Sequence, residues 1–389
     1  MRLVVSRAAS VSVVVIVFLL LVFRPVNSAR AQSYTNIQTV FIILMENVSW
    51  PDIVGSTNAP FIKNVLVPQA SLATNMYIVP GTFGSLPQYL WLESGTNWGV
   101  ATDSNDPASH HFATTNHFVI QLQNAGISWK AYQESISGAS CPTTSSGLYA
   151  AYHNPFIYFD DIYLNSANCA AHVRPYTELS GDLTNNTVAR YNFITPNLCS
   201  DMHGSGSCAP GNRIKIGDTW LSTEIPKIMN SAAYQNNGAI IITWDEGTAN
   251  VAGPFGTIVL SSWAKGGGYT ITNRLDHTAT FRTLQEIFRV PLLYAAQTGT
   301  NLSDLFKPVI QLSAPSFSVP NQIFQFSASG IVPGKTNYFQ FTTNLGPSGP
   351  GIWQNLSTNV LSTNRFTFSD TNANPTSAPN RFYRVIESY

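Results

Sequence analysis

Two pairs of oxygen-bearing residues follow apolar runs in this chain. Glu46 and Asn47 come directly after Phe41-Ile42-Ile43-Leu44-Met45, and Asp245 and Glu246 directly after Ile240-Ile241-Ile242-Thr243-Trp244. If both runs are parallel strands of one sheet, their exits share an edge, where open α/β sheets place functional residues. Three carboxylates and an amide then converge. Their mutual repulsion calls for a cation, and an all-oxygen set suits one divalent ion. The plainer reading of each residue is a helix cap or a turn.

A third segment is Gly81-Thr82-Phe83-Gly84-Ser85-Leu86-Pro87-Gln88-Tyr89. Pro87 fits the first turn of a helix, so Ser85 stands at the helix start. Free amides there would favour a phosphate and help stabilise a serine alkoxide, which makes Ser85 a candidate nucleophile. Its plainer reading is an N-cap. Of seven histidines, three have suggestive settings. They are His153 before Asn154-Pro155, His203 two residues after Asp201, and His277 after Asp276. Imidazoles beside a phosphate can bind its oxygens or protonate a leaving alcohol.

The elements that must position these residues alternate between two kinds. Strands are expected at Val40–Leu44, Ser128–Tyr132, Tyr191–Ile194, Ala239–Trp244 and Thr257–Leu260, several of them apolar at consecutive positions. Such runs suit strands covered on both faces. Helices are expected from Asn116 as cap through Leu122, from Asp218 as cap through Met229, and over Thr278–Phe288. The alternation predicts an α/β fold with a largely parallel sheet flanked by helices. After Pro308 no helical period remains. Short β-prone runs separated by turn clusters predict a small C-terminal β-sandwich over 308–389.

The chain has 389 residues, 44% apolar and only 10% charged, with 20 basic and 20 acidic residues. A large core is affordable, and nothing resembles the basic footprint of a nucleic-acid binder. Arg2 and Arg7 precede an apolar run from Val11 to Phe23, followed by Ala29-Arg30-Ala31. This reads as a signal peptide over 1–31, leaving a secreted or periplasmic protein with no stable membrane span after cleavage. In an oxidising compartment four cysteines favour two disulfides. The sequence-local pairing is Cys141–Cys169 and Cys199–Cys208.

The ordered set Met45-Glu46-Asn47, Ser85-Leu86-Pro87-Gln88-Tyr89, His153-Asn154-Pro155-Phe156, Ile194 to His203, Thr243-Trp244-Asp245-Glu246-Gly247 and His277 resembles the phosphoesterase family. That family includes bacterial acid phosphatases and phospholipases C and belongs to the alkaline phosphatase superfamily. The resemblance spans roughly residues 37–307. It implies a parallel-rich sheet between helices and a catalytic domain over 32–307. It implies Glu46, Asn47, Asp245 and Glu246 as metal ligands, Ser85 as nucleophile, and His153, His203 and His277 facing the phosphate. Asp201 would orient His203, contact the substrate or bind a second cation. Relatives commonly carry His-Pro before the serine motif and Asn in place of Gln88; here Phe83-Gly84 precedes Ser85.

The expectation is a secreted, metal-dependent hydrolase of phosphate esters with His203 as general acid. The rivals are a phospholipase C, with phospholipid as substrate and an apolar lip at Phe83, Trp91 and Trp98, and a catalytically inactive binding protein.

Overall fold

The computed structural model describes residues 33–389, apart from Asn105 and, beyond residue 308, positions 309, 314–315, 319–322, 332–333, 335, 344–352, 364, 372–380 and 388–389. The expected signal peptide lies outside the described residues.

Nine strands form the main sheet: β1 (Thr39–Met45), β2 (Ser71–Tyr77), β3 (Trp129–Gln133), β4 (Val173–Pro175), β5 (Tyr191–Thr195), β6 (Gly238–Trp244), β7 (Phe255–Ser261), β8 (Tyr269–Ile271) and β9 (Leu275–Asp276). Their order is β4-β3-β5-β1-β6-β7-β2-β8, with β9 also paired to β2. All five expected strands are present. Every pairing is parallel except those of β7, which runs opposite to β6 and β2. β6 is buried at every position and β1 at all but its first. Both faces of these strands are therefore covered, which is why apolar residues stand at consecutive positions.

Four longer helices pack near this sheet: α1 (Ser85–Ser94), α2 (Phe118–Asn124), α3 (Arg213–Met229) and α4 (His277–Phe288). α1 ends at Gly95, whose φ of 75° is a left-handed cap that a side chain would resist. Asp276 caps α4 by accepting from the Thr278 amide at 2.8 Å. Two expected caps fall elsewhere. His117, not Asn116, stands at the α2 cap position. Asn212, not Asp218, caps α3 by accepting from the Ile214 and Lys215 amides. Asp218 sits one turn inside α3, and its carboxylate instead accepts from the amides of Phe61 and Ile62 in another segment.

A buried charged cluster holds the far end of α1. His117 Nδ1 lies 2.8 Å from Glu93 and Nε2 lies 3.1 Å from Asp161, with the ring stacked on Phe159. Burial opposes the imidazolium, but hydrogen bonds and charge from Asp161 and Glu93 outweigh it and raise His117 to about 9. A raised folded pKa stabilises the fold below the unfolded value near 6.5 and ceases to do so as pH rises through 9. Burial also raises the Glu93 carboxyl, which acts in the same direction at lower pH. We therefore expect thermal stability to fall by up to about 3 kcal/mol between pH 6.5 and 9. In His117→Gln the protein should start less stable and show a shallower slope, with Glu246 still contributing near pH 8; a mutant with the wild-type slope would disprove the assignment.

Beyond residue 308 the described strands form two antiparallel sheets. Phe368 of one sheet, itself packed on Phe326, meets Phe339 of the other, with the Phe339 and Phe368 rings 5.0 Å apart. Along with Ala328 and Ile331 they make a small core of their own, as expected for a β-sandwich. Cys141–Cys169 and Cys199–Cys208 are both bonded, and no free cysteine remains. Among the described residues no helix is long and apolar enough to cross a membrane.

Candidate active site

The pairing register builds the site. Met45 stands opposite Trp244 in the parallel β1–β6 ladder, so Glu46 and Asp245 leave the sheet side by side. The Asp245 amide donates to the Met45 carbonyl at 3.0 Å. β5 pairs on the other side of β1, and its exit brings Asp201 round until its carbonyl accepts from the Glu46 amide at 2.8 Å. Three strand exits thus meet at one edge.

Ser85 is almost wholly buried at the start of α1, and its Oγ donates to Glu46 Oε2 at 2.9 Å. One turn later Tyr89 donates to Glu46 Oε1 at 2.7 Å, and its ring stacks on His153. His153 Nε2 lies 3.5 Å from Glu46, and Nδ1 lies 3.7 Å from Asp201. Asn47 gives its backbone amide to Asp245 Oδ1 and its side-chain amide to Glu246 and Asn250. His277 Nε2 donates to the Asp245 carbonyl at 2.9 Å, which leaves Nδ1 as a lone-pair nitrogen. His203 is half-buried at the rim, its ring 6.2 Å from that of His153. Its Nδ1 donates to the Gly204 carbonyl at 2.8 Å, leaving Nε2 available. All the residues singled out in the sequence therefore gather at this edge, with His203 outermost.

The electrostatics are those of crowded carboxylates. Burial, then the charges of Asp245 and Asp201, holds Glu46 well above the ordinary carboxyl range. Burial likewise raises Asp201, and raises Glu246 to about 8 with help from Asp245. Burial keeps His153 and His277 below the ordinary imidazole range, so both rings are neutral at physiological pH. Five buried donor atoms in the cluster have no hydrogen-bond partner: Asn47 Oδ1, His153 Nε2, Asp201 Oδ2, Asp245 Oδ2 and His277 Nδ1. Buried polar atoms are rarely left so, and this donor set fits a divalent cation. Among the described residues no group of three or more His, Cys, Asp or Glu side chains is arranged as a formed metal site.

The first amides of α1 are not free for a phosphate. Asp103 Oδ1 accepts from the Leu86 amide at 2.7 Å and also faces the Ser85 amide, while Glu246 Oε2 accepts from the Gly84 amide at 3.2 Å. The expected apolar lip is also reduced. Phe83 is 63% exposed, but Trp91 and Trp98 are partly buried, with their indole N–H groups bonded to Thr278 and Ser94.

Sequence reasoning gave no role to Asp103, Tyr89 or Arg213. Tyr89 was accessible in principle, because it lies four residues after Ser85 and so shares its helix face. Nothing in sequence separation points to the other two. Arg213, the first residue of α3, donates to the carbonyl of Asn47 at 2.8 Å and to that of Met202 at 2.6 Å. Asn47 and Met202 have φ of 40° and 80°, positions that cost side-chain-bearing residues about 1–3 kcal/mol. One guanidinium thus braces two strained loops carrying Asn47 and His203. The Cys199–Cys208 bond closes the second loop and restricts its unfolded states, worth about 2–3 kcal/mol by chain entropy. Arg213→Ala should lower kcat by about tenfold to a hundredfold, the scale of a misplaced group. Arg213→Lys should recover little, because an ammonium does not fork across both carbonyls. A drop in melting temperature with kcat unchanged would reduce Arg213 to a structural role.

Residues 59–291 match the model of the Phosphoesterase family. The chain is 25% identical over 267 residues to phosphatidylinositol-3-phosphatase of Mycobacterium tuberculosis, covering 69% of this chain and 82% of that protein. It is 25% identical to an acid phosphatase of Aspergillus fumigatus, over 58% of this chain and 47% of that one. Phospholipase C B of M. tuberculosis is 21% identical, over 51% and 44%. The chain thus spans about half the length of these last two relatives. An alkaline phosphatase superfamily protein from Vibrio parahaemolyticus aligns in structure at 12% identity with a TM-score of 0.49, over 78% of this chain and 77% of that one. The match over 59–291 and the named relatives agree, and the chain belongs to the Phosphoesterase family and is a phosphoric ester hydrolase.

Proposed function

We propose that this chain is an exported, metal-dependent hydrolase of phosphate monoesters with Ser85 as its nucleophile. The observation that carries the reading is the Ser85–Glu46 hydrogen bond at 2.9 Å, set within five unpartnered buried donor atoms. Glu46, Asn47, Asp245 and Glu246 would hold one divalent ion, which would supply Lewis-acid stabilisation of phosphoryl charge. Glu46 accepts the Ser85 hydroxyl hydrogen and so aims Oγ, while Tyr89 holds the second oxygen of Glu46 in place. Ser85 Oγ passes its proton to Glu46 and forms a bond to phosphorus as the bond to the leaving oxygen breaks. His203, as the imidazolium, delivers its Nε2 proton to the departing alcohol while Nδ1–H stays bonded to the Gly204 carbonyl. Water then attacks the phosphoserine and gives a proton to His203, while Glu46 returns its proton to Ser85 Oγ, releasing phosphate and restoring the hydroxyl. The neutral rings of His153 and His277 and the carboxylate of Asp201 complete the substrate cavity. Asp201 also fixes the His203 turn, since its Oδ1 accepts from the His203 amide at 2.7 Å.

Residues 32–307 would form the catalytic domain and 308–389 an accessory β domain. Export follows from the expected leader at 1–31 and agrees with two disulfides. The rival phospholipase C reading requires a lipid-facing lip, and of its three aromatics only Phe83 is exposed. Intact candidate ligands and nucleophile weigh against an inactive binding protein. Initial rates on aryl phosphate monoesters and diesters, with and without chelator, test the reading. Monoester turnover lost on chelation is expected; diester turnover alone, or rates indifferent to chelator, would overturn it.

A further inference from the structure

A cavity of about 250 Å³ adjoins the candidate site, lined in part by Asp103, Ser104, Asp106, Thr144, Tyr152 and Tyr158. Its borders are set by residues already tied to the chemistry. On one side Asp103 grips the Leu86 amide, one residue from the nucleophile. This approach depends on Gly84, because a Cβ there would lie 2.6 Å from Asp103 Oδ2. On the other side Tyr152 meets the His153 ring edge-on, with centroids 4.6 Å apart. Through Asp103 and Tyr152 the cavity borders the segments that carry Ser85 and His153.

The lining contains two carboxylates, several hydroxyls and two phenols, but no Lys, Arg or His. Burial and the nearby charges of Glu46, Asp103, Asp201 and Asp245 raise the Tyr152 phenol to about 12, so it stays protonated and donates. The cavity is smaller than the roughly 300–1,000 Å³ typical of drug-sized ligands. It therefore suits a compact alcohol that offers hydroxyl donors to carboxylates. A leaving group bearing its own carboxylate would meet the carboxylates of Asp103 and Asp106, with His203 the one cationic group that the mechanism brings near it.

Building on the proposed monoesterase activity, we infer that this cavity is the leaving-group pocket and selects small, uncharged, hydroxyl-rich alcohols against anionic ones. Asp103 and Asp106 are its discriminating residues. Asp106 Oδ1 accepts from the Ala108 amide at 2.8 Å, a bond that an asparagine oxygen can keep. Asp106→Asn therefore changes charge with little change of loop shape.

The test compares glycerol 3-phosphate with 3-phosphoglycerate, which differ in a carboxylate on the same three-carbon alcohol. Burial raises the Asp103 carboxyl, so rates are measured at pH 7.5, where it is ionised more fully. The full chain should show kcat/KM at least about tenfold higher for glycerol 3-phosphate, the scale of one nearby like charge in a partly screened site. Asp106→Asn should narrow that ratio at least about threefold. Equal kcat/KM for the two esters, or a ratio unmoved by Asp106→Asn, would overturn the pocket assignment alone. So would cleavage of an aryl phosphate with neither three-carbon ester turned over. If all three esters remain intact, the monoesterase reading fails and this inference fails with it.

Discussion

Ser85→Ala should abolish phosphoenzyme formation and lower kcat by at least about 10³-fold, the scale set by loss of a nucleophile acting within a catalytic unit. Ser85 Oγ is the hydroxyl hydrogen-bonded to Glu46 in the middle of the cluster. Thr82, the nearest rival in sequence, is already committed elsewhere. Its hydroxyl donates to the Val79 carbonyl at 2.7 Å and accepts from Gln88 at 2.7 Å. Gln88 also receives the Val79 amide, so Thr82 and Gln88 form a closed knot that shapes the turn before α1. KM should change much less than kcat, because the neighbouring groups that contact phosphate remain. Acid quenching after a brief reaction with labelled ester, followed by peptide mapping, should find phosphate on Ser85. Label on Thr82, or a Ser85→Ala rate within threefold of the parent, would remove Ser85 from its role.

The sheet and the first ring of polar residues were legible because both obey short-range rules. Apolar runs over 40–45 and 239–242 mark strands covered on both faces, and the polar residues past their ends have to emerge at a shared edge. β2 was missed for the converse reason. Its Thr74 and Asn75 interrupt the apolar pattern beside a register shift between Ala73 and Met76. Asp218 was read as a cap because it precedes an apolar periodicity, yet it serves the amides of Phe61 and Ile62, more than 150 residues away. Asp103 and Arg213 were illegible on the same grounds. Each acts on backbone groups distant in sequence, and no local pattern encodes such a partner. The occupied amides at the head of α1 follow from Asp103, so that misreading was a tertiary effect rather than a faulty motif.

The largest effect outside Ser85 should come from Asp245→Asn. Asp245 Oδ1 accepts from the Asn47 amide at 3.0 Å, and its Oδ2 is buried without a partner. Its charge is also a leading cause, after burial, of the raised carboxyl groups of Glu46 and Glu246. The asparagine keeps an oxygen for the Asn47 amide while deleting the charge. The metal-free variant should therefore melt at or above the parent, because like-charge repulsion has been relieved. With divalent ion the order should reverse. The parent should gain about 2.7 kcal/mol when ion is present at a hundred times its dissociation constant, and the variant almost nothing. Activity should fall by about 10³-fold or more with the ion, while far-ultraviolet circular dichroism stays parental. Replacing Asp245 by Ala would blur the result, since the buried Asn47 amide would lose its acceptor at a cost of about 1–3 kcal/mol. Equal stabilisation of parent and Asp245→Asn by the ion would show that Asp245 is no ligand. A metal-free variant that melts well below the parent would show that the cluster is held by hydrogen bonds rather than strained by its own charge.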